Sequence, residues 1–173
     1  MSRKSNLLFS VVIIIIINIL SNYFVFNIDL TEDKRFTLSS RSIKVLNQID
    51  DHLTIIVYLE GDLPAGIELL SSSIEEFLIK CRKINNYINF EFIDPTKSNN
   101  EIQRLSIYDQ LQGQGLYPTD LRISETSRKI IFPGAIIRYK DNIREAVNLL
   151  ENNSSFSSKI NINNSIEKIE FQI

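Results

Sequence analysis

The side chains able to do chemistry are few. Cys81 is the single cysteine and His52 the single histidine among 173 residues. One thiol excludes an internal disulfide, a CxxC redox pair and a cysteine-rich zinc site. One imidazole excludes a multi-histidine metal centre and an HExxH protease. The five glycines nowhere fall in a GxxxxGK[ST] pattern, so the chain is no P-loop ATPase. Gly113-x-Gly115 follows a helical pattern and so sits at a helix end, the wrong context for a phosphate loop. The carboxylates Glu60, Asp62 and Asp94 fall near the ends of expected strands, where the ligands of α/β sheets bind. Capping a helix or facing water is the ordinary alternative for each, and no residue is assigned to catalysis, to a cofactor or to a metal. The stretch Glu60, Gly61, Asp62, Leu63 and Pro64 is the best candidate for a partner or ligand contact.

The elements that would hold this loop are legible from apolar spacing. Ser39 or Ser40 can cap a helix on which Ile43, Leu46 and Ile49 share a face. Leu53 to Leu59 is β-branched and apolar on both faces, as a strand buried between two layers must be. Gly61, Pro64 and Gly66 break the chain after it. Ile67, Leu70, Ile74, Phe77, Cys81 and Ile84 then recur at steps of three and four, the clearest amphipathic helix in the chain. Cys81 lies on that apolar stripe, which makes it a buried structural thiol. Ile88, Phe90 and Phe92 alternate with Asn89 and Glu91 in a half-buried strand. Asn99 or Asn100 caps a further helix with Ile102, Leu105, Tyr108 and Leu111 inward, ended by Gly113 and Gly115.

The spacing then predicts strands over Thr119 to Glu125, Lys129 to Tyr139 and Ile143 to Leu149. Pro133-Gly134 marks a bulge or an edge position in the middle one. Residues 151–158 are rich in Asn and Ser and read as a linker. Ser165 to Ile173 restarts a helix-like or strand-like pattern. This order predicts a mixed sheet with helices on its faces. The expected fold is α/β and thioredoxin-like without the CxxC, with a small flavodoxin-like layer as the alternative. Fold alone carries no redox function.

The amino terminus is of another kind. Between Leu7 and Phe26 only Ser10, Asn18, Ser21 and Asn22 are polar, and no charge occurs between Lys4 and Asp29. A helix over 7–27 would be about 30 Å long, the thickness of a bilayer core. A cleaved signal peptide needs a shorter apolar run and small residues at its cleavage site. The bulky Tyr23-Phe24-Val25-Phe26 suits an uncleaved anchor instead. The expected organisation is a short cytoplasmic tail over 1–6, a transmembrane anchor over 7–27 and a juxtamembrane linker over 28–38. An α/β periplasmic domain over 39–150 follows, then a linker and the start of a following domain over 151–173. Arg3 and Lys4 are the only charged residues ahead of Asp29. The remaining 17 basic and 21 acidic residues leave the body at −4, so nucleic acid is not an expected partner.

Several stretches resemble one family in detail. Asp29-Leu-Thr-Glu-Asp-Lys-Arg-Phe-Thr-Leu-Ser39 follows the apolar segment, and Val57-Tyr-Leu-Glu-Gly-Asp-Leu-Pro-Ala-Gly66 follows the first helix. Lys129-Ile-Ile-Phe-Pro-Gly-Ala135, Val147-Asn-Leu-Leu150 and Ile162-Asn-Asn-Ser-Ile-Glu167 continue in the same order. Together they resemble the gliding-motility-associated ABC transporter auxiliary proteins, the GldG family. The resemblance implies a non-catalytic, single-pass subunit of the bacterial inner membrane with its carboxyl-terminal body in the periplasm. Its implied partners are an ABC permease subunit, a separate ATPase subunit and, through residues 7–27, the lipid bilayer. Members are several times longer, which is why residues 151–173 are expected to begin a further domain. The alternative is a periplasmic interaction module of thioredoxin-like fold, or an enzyme with an unrecognised non-thiol site.

Overall fold

The structure, a computed structural model, describes residues 38–122, 128–140, 143–151, 153, 155 and 157–173. The expected anchor over 7–27 and most of the linker over 28–38 lie outside the described residues. Among the described residues no helix is long and apolar enough to cross a membrane.

The chain alternates helix and strand before closing with antiparallel strands and a last helix. Helix α1 is Ser40–Leu46, strand β1 is Leu53–Val57, helix α2 is Ala65–Ile84 and strand β2 is Ile88–Phe92. Helix α3 is Glu101–Gly113, and strands β3 (Thr119–Arg122) and β4 (Arg128–Ile131) pair antiparallel in a two-stranded sheet of their own. Strands β5 (Gly134–Tyr139) and β6 (Ile143–Asn148) precede helix α4 (Ser158–Gln172). The main sheet runs β2-β1-β5-β6. β1 and β2 are parallel, β5 is antiparallel to β1, and β6 is antiparallel to β5.

Each start is fixed by local chemistry. Ser39 Oγ accepts from Ser42 N at 3.2 Å and caps α1. Asn100 Oδ1 accepts from Ile102 N and Gln103 N at 3.0 and 3.4 Å and caps α3. α2 instead begins after Pro64, whose preset φ suits a helix entry and whose carbonyl accepts from Ile67 N and Glu68 N. Asn85 Nδ2, at the end of α2, donates to the carbonyls of Leu46 and Ile49 at 2.7 and 2.8 Å. One amide thus ties the end of α1 to the end of α2.

The core has two parts, one on each face of the sheet. On one face Ile55, Val57, Leu59, Ala135 and Ile88 meet Ile67, Leu70, Ile74, Leu78 and Cys81 of α2 and Ile169 of α4. On the other, Ile136 packs with Phe132, Leu116 and Leu111 of α3. β1 is therefore covered on both sides, which is why its sequence shows no alternation.

Four expectations are corrected. Ile102 and Leu105 are 78% and 53% exposed rather than inward, because only the second half of α3 (Ile107, Tyr108, Leu111) reaches the sheet. The strand expected over Lys129 to Tyr139 is two strands in different sheets. Pro133 has no N–H to give a ladder, and the chain turns there between β4 and β5. An all-parallel flavodoxin-like layer is excluded by the antiparallel β5 and β6.

The last correction concerns residues 151–173. These do not stand apart from the domain, since residues 38–173 form one compact unit. α4 lies against α2, and a Cβ on Gly66 of α2 would come within 2.7 Å of Ile162 Cδ1. Two polar residues of α4 are buried with it. Ser165 Oγ donates to Asn161 O at 2.8 Å and accepts from Glu151 N at 2.7 Å, while Asn161 Nδ2 donates to Asn153 O at 3.0 Å.

Candidate functional site

The Glu60–Pro64 loop leaves the carboxyl end of β1, at the same end of the sheet as the exit of β2. Ile93 N donates to Val57 O at 2.8 Å and keeps the two exits side by side. Leu59 is buried, and its carbonyl accepts from Ser71 Oγ of α2 at 2.7 Å. The loop is therefore clamped at its root. Leu63 tucks back onto the core, and Glu60, Gly61 and Asp62 are left exposed.

Gly61 makes the tightest approach. Its φ is +99°, a region that favours glycine. A Cβ there would lie 2.7 Å from Asp94 Cγ, so the loop backbone rests directly on the Asp94 carboxylate. That carboxylate cannot easily yield, because Asp94 Oδ1 accepts from Thr96 N at 2.8 Å and Thr96 Oγ1 at 2.6 Å. Asp62 faces outward, with its carbonyl accepting from Lys129 Nζ of β4 and its Oδ2 at 3.4 Å from the same ammonium. This pair is fully exposed on the aspartate side, so water and salt screen it and it contributes little to stability.

Of the three carboxylates singled out in the sequence, the fold brings Asp94 and Asp62 to one loop, and Glu60 stays in solvent. Lys129 was missed, since it is 67 residues from Asp62. What the edge offers chemically is one fixed carboxylate, one surface ion pair and the backbone of a glycine turn.

A cavity among the described residues lies elsewhere. It holds about 370 Å³ at the opposite end of the sheet, between α1, α2 and the start of β1, and Leu46, Ile49, Phe77, Cys81, Ile137 and Ile173 are among its walls. Tyr139, also in its wall, donates to Asp50 Oδ1 at 2.6 Å, and Lys140 Nζ lies 2.9 Å from the same oxygen. The Tyr139 hydrogen bond, then Lys140, holds the Asp50 carboxyl below its ordinary value.

Cys81 is buried as expected. Burial first, then the charge of Glu170, pushes its thiol up to about 12 from 9.0. The folded protein thus keeps a proton that the unfolded chain gives up. The resulting stability is full below pH 9.0 and is lost as pH rises toward about 12. The urea midpoint should fall across that window, and by less in Cys81→Ala. Near neutral pH a soluble disulfide reagent should label Cys81 only in urea. Rapid labelling of the folded chain would show that the thiol is accessible.

Residues 32–138 match the model of a family described as a domain of unknown function, DUF7088. The chain belongs to the DUF7088 family. The DUF7088 match reaches from ahead of α1 into β5 and so contains both halves of the loop contact, Asp62 and Lys129. Strand β6 and helix α4 follow the matched segment. No curated protein matches the chain, and no solved structure does.

Proposed function

We propose that this DUF7088 protein is a non-catalytic, membrane-anchored auxiliary subunit of an ABC transporter complex associated with gliding motility. Residues 7–27 would hold it in the bacterial inner membrane with the α/β body in the periplasm. The body would engage an ABC permease subunit, and a separate ATPase subunit would drive transport. The Glu60–Pro64 loop is the proposed contact.

The collinear resemblance carries this reading, and one observation is in keeping with it. Segments that resemble the GldG family, far apart in sequence, touch one another in space. Lys129, which begins one, bonds to Asp62 within another. Leu149 N, within a third, donates to Pro133 O at 2.8 Å. Ile162, which begins a fourth, lies against Gly66 at the end of the second. These segments lie within one compact unit, where they could serve a single surface. The parallel β1-α2-β2 unit, the antiparallel β5-β6 pair and the closing α4 support a thioredoxin-like architecture.

The test is copurification of the tagged full chain from native membranes in mild detergent. An ABC permease and its ATPase should be recovered, and alanine at Glu60 and Asp62 should reduce their recovery. A clean preparation lacking both would refute the subunit reading. Full recovery with the alanine variant would remove the loop from the contact while leaving that reading in place.

A further inference from the structure

Among the described residues, the sheet face that carries α3 is covered by that helix only toward one end. α3 reaches Tyr58, Ile136 and Ala146, toward the carboxyl end of β1. One position further along each strand pattern, the register aligns four polar residues. Thr54 is opposite Asn89 on β2 and opposite Arg138 on β5, and Arg138 is opposite Arg144 on β6. The row Asn89-Thr54-Arg138-Arg144 therefore crosses the whole sheet, about 14 Å at the usual strand spacing.

The pair at its end is energetically odd. Like charges directly opposite each other across a ladder are destabilising. Among the described residues neither guanidinium makes an ion pair. Among the described residues Arg138 Nε is buried with no hydrogen-bond partner, an unpaired polar group at a cost, and only its Nη groups are left to meet an arriving acceptor. Glu91 shares the face but stands on β2, two strands from Arg138.

We infer that this row is a docking surface for an acidic polypeptide segment, with two of its carboxylates received by Arg138 and Arg144. Each guanidinium offers a planar fork that matches a carboxylate in two parallel hydrogen bonds. Thr54 and Asn89 continue the row with groups able to bond to the segment's backbone or amides. The row lies on a sheet face, whereas sites that enclose small molecules are concave. A body of charge −4 repels a long polyanion but leaves a local basic pair open to a short acidic run. This inference is independent of the transporter reading, since it concerns a different surface from the Glu60–Pro64 loop.

The probe is a labelled peptide of alternating glutamate and glycine, titrated with the full chain in detergent at low salt and followed by fluorescence polarisation. The peptide should bind, and a lysine–glycine counterpart should not. Arg138→Gln and Arg144→Gln should each weaken binding about tenfold, roughly 1.4 kcal/mol. Arg144→Glu should abolish binding while melting no lower than the parent, because it places a carboxylate against Arg138. That variant keeps the test sound if Arg138→Gln fails to fold. No binding of the glutamate peptide, or undiminished binding by Arg144→Glu, would overturn the inference. So would displacement of the peptide by an equal concentration of inorganic phosphate, which would mark a small-anion site instead.

Discussion

Phe132→Ala should lower the unfolding free energy by about 3–5 kcal/mol and release α3 from the sheet. Phe132 is fully buried, and its ring lies 5.0 Å from that of Tyr108 on α3, tilted by 45°. Leu111, Leu116 and Ile136 close the rest of that small core. α3 has little else to hold it, since Ile102 and Leu105 in its first half face water. Truncating the ring therefore removes the apolar anchor of a whole helix and leaves a cavity that so few neighbours cannot refill. The loss is a large share of a typical stability of about 5–15 kcal/mol. Urea unfolding gives the energy, and amide exchange gives the location. Protection over 101–113 should drop to a level well below that of α2. A cost under about 1 kcal/mol, or unchanged protection in α3, would show that something other than Phe132 holds the helix.

Gly61→Ala should cost about 1–3 kcal/mol, the range for a residue forced into a sparsely populated backbone region. Two separable causes act together. The φ of +99° disfavours any Cβ, and the Cβ would also strike the Asp94 carboxylate, which Thr96 holds in place. Adding Asp94→Gly removes the collision and leaves the backbone cost. The double variant should thus be less destabilised than the two single changes added together. Strict additivity would place the whole effect in the backbone. The same substitution should disturb the Asp62–Lys129 contact, because Asp62 follows directly in the loop. Gly61→Ala is accordingly expected to reduce recovery of the proposed transporter partners more than alanine at the exposed Glu60.

The elements were legible in the chain wherever one period ran unbroken. β1 is apolar on both faces and is sandwiched, α2 has a clean stripe, and that stripe places Cys81 in the core. The caps were legible to within one residue, as Ser39 or Ser40 and Asn99 or Asn100, because a side-chain oxygen beside a free N–H is a local matter, and the fold uses Ser39 and Asn100. α4 was legible only in its last turns, because Asn161 and Ser165 occupy positions of its buried side and break the apolar period. Their partners, Asn153 and Glu151, come from the preceding segment, so burial of polar groups became affordable only after folding. Periodicity also wrongly turned Ile102 and Leu105 inward, since spacing gives a face and not how far a helix reaches over the sheet.

The loop was legible as a turn, from Gly61 and Pro64, but its surroundings were not. Tertiary structure alone decided that Gly61 rests on Asp94, that Lys129 reaches Asp62, and that the resembling segments converge. It also decided that Arg138 stands opposite Arg144, because strand register sets neighbours that no single strand's pattern contains. Local backbone and burial preferences act over a few residues and are written in the chain order. Contacts across 67 residues depend on which strands pair and where the chain turns back, and these are properties of the assembled sheet.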